Sequence, residues 1–108
     1  MELHAKINTH YAQLFAKFIE RLRAMPDGDG SVLDHSLIFY GGGMSDGQAH
    51  APYPLPLVSV GRAGGRITGD RHLVAPEWTP IANLWLRVAD LYGVPLDTFA
   101  ESTGRLQL

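Results

Sequence analysis

Apolar residues recur along the first turns of the chain at intervals of three and four. Leu3, Ile7, Tyr11, Leu14, Phe15, Phe18, Ile19 and Leu22 share one side of a helical wheel, while Lys6, Gln13, Lys17, Glu20 and Arg23 mostly fall elsewhere. That spacing predicts an amphipathic helix over about 3–24, stopped by Pro26 and the "DGDG" turn. Two short, continuous apolar runs follow. "SLIFY" (36–40) is bounded by turn residues, which suits a strand buried on both faces; "LPLVSV" (55–60) is the second, its start weakened by Pro54 and Pro56. The stretch "GRAGGRITGDRHLV" is punctuated by glycine and reads as a turn with one or two short strands. Thr79 then offers an N-cap with Pro80 at the first helical position. Ile81, Leu84, Trp85, Val88 and Leu91 form a second apolar stripe, closed by Gly93 and Pro95.

Helix, strand, strand, helix with double-sided strands predicts an α/β chain: a small sheet of two to three strands flanked by two helices. Both helices are expected to cover that sheet, burying Phe15, Phe18, Leu22, Leu84, Trp85 and Val88. So small a sheet leaves edges that need covering. A homo-oligomer, or association with further chain preceding this segment, would do so.

Composition narrows the function classes. At 108 residues the chain is one domain or a fragment of a larger one, with room for a modest core. A net charge of −2 gives no electrostatic case for nucleic acid or an anionic membrane surface. Cysteine is absent, which excludes disulfides, thiolate nucleophiles and Cys-rich zinc sites. No stretch approaches the roughly 20 apolar residues of a membrane span. The N-terminus runs straight into a helix pattern without a signal-peptide core, and the chain starts abruptly, as an excised piece would.

The chemistry-bearing residues gather after the first apolar run, in "FYGGGMSDGQAHAPY" (39–53). In open α/β sheets ligands collect beyond the carboxyl ends of strands. Gly41, Gly42 and Gly43 would let the chain leave the strand and its backbone approach a ligand closely, or form an anion nest. A flexible turn is the plainer use of the same glycines. No "GK[ST]" follows and no helix pattern opens there, so neither a phosphate-binding loop nor a dinucleotide fingerprint is present. Asp46 and His50 offer a hard and a borderline donor suited to zinc, manganese or iron. The competing reading is a solvated turn with Asp46 bonded to its own backbone. Ser45 lacks the "GxSxG" frame of a nucleophile elbow.

His72, in "GDRHL", follows the second apolar run and is a third donor candidate; Arg71 beside it, with Arg62 and Arg66, suits phosphate or sulfate oxygens. His35 falls at the start of the first strand, the wrong end for a site around Asp46. His4 and His10 sit on helix flanks, and Trp78 and Trp85 read as packing anchors.

Three segments, "VLDHSLIFYGGGMSDGQAH", "PLPLVSVGRAGGRITGDRH" and "TPIANLWLRVADLYGVPLDTFAESTGRL", together resemble the C-terminal portion of a bacterial family of exported proteins of unknown function. That family in turn looks related to the alkaline phosphatase and sulfatase superfamily. "DHSLIFYGGGMSDG" is similar to the pattern in which "D-N-T-L" opens a strand ending in "S-D-H-G", and "TPIANLWLRVADLYGVP" resembles the superfamily's "PTLLDLAGVP" helix. The resemblance implies an exported or periplasmic location. It also implies a divalent metal (zinc, manganese or calcium), a small anionic ester as substrate and Asp46 as a metal ligand.

The chain departs from the superfamily pattern at three points. "GGM" is inserted before Ser45-Asp46, and Gly47 stands where His or Asn is frequent, so the second ligand would have to be His50. The half expected to carry the nucleophile and the remaining ligands is absent from these residues. The resemblance therefore implies a hydrolase lobe holding half a site: Asp46, His50 and His72 as ligands, with Arg71, Gly42, Gly43 and Ser45 toward substrate. The competing expectation is a binding or assembly module that keeps the fold without the chemistry.

Overall fold

The spacing of three and four at the start of the chain forms one helix, α1 (Glu2–Ala24), in the computed structural model, which describes residues 2–108. Glu2 in its first turn and Arg21 and Arg23 in its last complement the helix dipole. An exposed Glu2–Lys6 pair at 2.8 Å adds a weak i,i+4 contact. Proline at position 26 has no backbone N–H to continue the ladder. The chain instead turns into a two-residue hairpin, β1 (Pro26–Asp27) against β2 (Gly30–Ser31), with Asp27 opposite Gly30. The "DGDG" stop is thus itself a minimal antiparallel sheet.

The two apolar runs become β3 (Ile38–Gly41) and β4 (Leu57–Val60), paired antiparallel with Ile38 opposite Val60 and Gly41 opposite Leu57. The chain is therefore α/β, with two helices and two small antiparallel two-stranded sheets. Burial on both strand faces was expected and is not found: β3 is half-buried at Ile38, Phe39 and Tyr40 and exposed at Gly41, and β4 is exposed except at Val60. A pair of four-residue strands has too little surface around it to enclose two faces.

Two compact units make up the chain, one ending at Gly65 and the other spanning Arg66–Leu108. In the first, α1 packs against β2, and the Phe15 ring stacks on Tyr40 of β3 with centroids 4.6 Å apart. Phe15, Ile19 and Leu22 are half-buried along this edge of the helix. Phe18 is not buried as expected: it is 49% exposed, with Leu3, Ile7, Tyr11 and Leu14 beside it on the open edge. The apolar face of α1 is broader than the sheet it covers.

The second unit is built on α2 (Ala82–Leu91), where Ala82, Leu84, Leu86 and Leu91 are buried and Trp85 and Val88 half-buried. Thr79 does not cap it. Its hydroxyl donates to the Pro76 carbonyl at 2.7 Å, and Ile81 stands at the cap position. The C-terminal end follows the sequence closely. Gly93 (φ 72) donates to Asp90 at 3.1 Å and Val94 donates to Ala89 at 2.9 Å, the paired bonds of a glycine-terminated helix. Among the described residues no helix is long and apolar enough to cross a membrane.

Candidate functional site

Residues 42–56 join β3 to β4 and fold into a small turn of their own. Asp46 and Ala51 form an isolated antiparallel bridge, Ser45 N–H donating to Ala51 at 2.8 Å and Ala51 N–H to Asp46 at 3.1 Å. Inside it, Asp46 Oδ1 accepts the N–H groups of Gln48 (2.8 Å) and Ala49 (3.0 Å). The Ala49 and Gln48 amides hold the Asp46 carboxyl below its ordinary value, so it is a carboxylate at neutral pH. Ser45 Oγ donates to the carbonyls of Tyr53 (2.9 Å) and Ala51 (3.2 Å), a structural use of the hydroxyl. His50 adopts φ 53 at the turn's end and is exposed. The turn lies close to α1, because a Cβ on Gly47 would come 3.3 Å from His4 Nε2.

Gly42 and Gly43 are exposed, and neither is among the residues with positive φ. The glycine that the geometry demands here is Gly41, where a Cβ would meet Leu57 Cδ1 at 2.7 Å and the Pro56 carbonyl at 2.9 Å. The run thus serves the close approach of β4. Arg71 and His72 belong to the second unit and are both exposed, Arg71 donating through Nε to the Thr68 carbonyl at 3.2 Å. Antiparallel pairing also fixes where the chain leaves β4. It departs beside Ile38, at the end of the hairpin opposite the Asp46 loop.

Among the described residues no three His, Asp or Glu side chains come together as a metal-holding group. An ion held by Asp46 and His50 would need further donors from elsewhere, so these residues by themselves do not complete a divalent-metal centre.

A second polar centre forms at the start of β3, where sequence reading placed nothing functional. Ser31 and Asp34 bond reciprocally: Asp34 Oδ2 accepts Ser31 N–H (2.9 Å) and Oγ–H (2.8 Å), while Asp34 N–H donates to Ser31 Oγ (3.2 Å). The Ser31 hydroxyl and amide, with smaller help from the Arg62 and His35 charges, hold the Asp34 carboxyl below its ordinary value. This turn projects His35 between two carboxylates of the β1–β2 hairpin, with Nδ1 2.8 Å from Asp27 Oδ2 and Nε2 3.1 Å from Asp29 Oδ1. The hydrogen bond to Asp27 is the main reason His35 is pushed above the ordinary histidine value, and the Asp29 contact adds to it.

The segment after β4 docks onto the same place through its backbone. Ala63 N–H donates to Ser36 and Gly64 N–H to Asp34, both at 2.9 Å, and Ala63 is buried at 3% exposure. Gly61 is obligatory for this approach. Its φ is 108, and a Cβ there would stand 2.2 Å from the Ser36 carbonyl oxygen. The result is a polar cleft of about 290 Å³ lined by Asp29, Asp34, His35, Arg62 and the Gly64–Gly65 backbone. "DGDG", "DHS" and "GRAGG" were each visible as segments, but their convergence depends on backbone hydrogen bonds between residues far apart in sequence.

Comparison with protein-family models, with curated proteins and with solved structures found no match to this chain.

Proposed function

We propose that this chain is a lobe of a metal-dependent hydrolase of phosphate or sulfate esters, contributing Asp46 and His50 to an ion completed by donors outside it. The observation that supports this reading is the state of Asp46. One carboxylate oxygen is fixed by two backbone amides, the group is ionised, and it lies on an exposed loop beyond the end of β3. A fixed, charged carboxylate on an exposed loop is what a hard cation requires of its first ligand. A bound divalent ion would polarise the ester oxygen. On the chain's side, Asp46 would position and His50 would have to be neutral to ligate.

Calorimetric titration with zinc and with manganese tests the reading on the native chain and on Asp46→Ala and His50→Ala. Weak binding by the native chain that both substitutions abolish is the expected result. Equal heats from all three proteins would refute it.

A second reading has its own support. The hydrogen bonds of Ser45 and Asp46 are already closed within the loop, as in a module that keeps the turn for binding or assembly without catalysis. Native-like thermal stability in metal-free buffer, together with no metal uptake, is the outcome expected of that module.

A further inference from the structure

We propose that His35 is a proton-operated latch, holding the Asp27–Gly30 turn closed on the rim of the polar cleft when protonated and releasing it when neutral. The geometry of the ring carries this. Both imidazole nitrogens face carboxylate oxygens, at 2.8 Å toward Asp27 and 3.1 Å toward Asp29. Only the imidazolium donates from both nitrogens; a neutral ring has one donor and turns a lone pair toward the other carboxylate. Loss of one proton therefore converts one of the two contacts from attraction to repulsion.

The element that would move is small and lightly held. β1 and β2 pair over only two residues each, and the Asp29 side chain is 95% exposed. Gly28 and Gly30 flank it, with Gly28 at φ 60. Every charged group around the ring has a defined part. Asp27 and Asp29 are the latch partners from the turn. Asp34 is already engaged by Ser31 on the ring's own segment. Arg62, from the docked segment after β4, is exposed, lines the cleft with Asp34 and lends its charge to that carboxylate. Gly64 and Gly65 bring no charge to the lining.

The direction of the switch follows from the raised affinity of His35 for its proton. The contribution of the latch is complete below the ordinary histidine value and is lost as pH rises through the folded one. The latch is independent of the Asp46 loop, and a failed metal titration leaves it standing.

Nuclear magnetic resonance of the native chain from about pH 5 to pH 9 tests it, following the His35 ring and the Gly28, Asp29 and Gly30 amides. The expected result is a His35 midpoint above that in Asp27→Asn, with turn amides shifting at the same midpoint. In His35→Gln those amides should stay flat over the range. Where Asp27→Asn does not fold, Asp29→Asn, altered at a nearly fully exposed side chain, carries the same comparison. An unchanged His35 midpoint in a folded carboxylate variant, or turn amides indifferent to the ring's titration, would overturn the proposal.

Discussion

Asn83 and Thr103, twenty residues apart, are paired twice: Thr103 N–H donates to Asn83 Oδ1 at 2.8 Å, and Asn83 Nδ2 donates to Thr103 Oγ1 at 3.1 Å. The Asn83 main-chain carbonyl also accepts Leu106 N–H at 3.0 Å. One polar residue, 7% exposed in the first turn of α2, thus fastens the C-terminal segment onto that helix. Asn83→Ala leaves a backbone amide of that segment without its acceptor, an expected loss of about 1–3 kcal/mol in denaturant unfolding. Hydrogen exchange at Thr103 should quicken with it. Unchanged protection there would show that the segment is held by something else.

Leu86 and Phe18 make a contrasting pair. Leu86 is 1% exposed and Phe18 is 49% exposed. Truncation of Leu86 to Ala is expected to cost about 2–5 kcal/mol, and Phe18→Ala no more than about 1 kcal/mol. Urea midpoints of the two variants give the check, and the reverse order would mean the exposed edge of α1 is covered in solution.

That edge carries a further expectation. Leu3, Ile7, Tyr11, Leu14 and Phe18 form an exposed apolar stripe, and such surface favours association. Light scattering across a concentration series should show mass rising with concentration, and Phe18→Glu should suppress it. A constant monomer mass for the native chain would count against this.

Acid should weaken the first unit through Asp34. Its carboxyl is held below the ordinary value chiefly by the Ser31 hydroxyl and amide. Stability from a depressed carboxyl is complete above the unfolded value of about 4 and is lost as pH falls through the folded one. Asp34→Asn should flatten that part of the acid-stability curve. Parallel curves for the two proteins would exclude Asp34 as a source.

The readable parts of the fold were those fixed locally. The limits of α1, the two apolar runs and the Gly93 helix end follow from spacing and from glycine and proline chemistry within a few residues. Strand direction did not, because "SLIFY" and "LPLVSV" carry no mark of which way they pair. Phe18 was misplaced since periodicity identifies a face and says nothing of the width of its partner. Of the candidate site, the bond from Asp46 to its own turn was one of two open readings. The cleft at His35 is not legible from that residue's place along one strand. Gly61, Ala63 and Gly64, which bring Arg62 beside it, act through backbone contacts that residue types do not reveal.

The antiparallel register of β3 and β4 also sets an energetic separation. The Asp46 loop springs from Gly41 and Leu57, while the His35 cleft forms where Ser36 meets Gly61 and Ala63. Five residue steps from Ser36 to Gly41 span about 17 Å at the rise of a strand, beyond the range of about 7–10 Å within which substitutions usually couple. Changes at the two ends should therefore sum: an Asp46→Ala, His35→Gln double variant should show the two single effects added, with no interaction energy. One short hairpin would then let each polar centre be altered in evolution without disturbing the other.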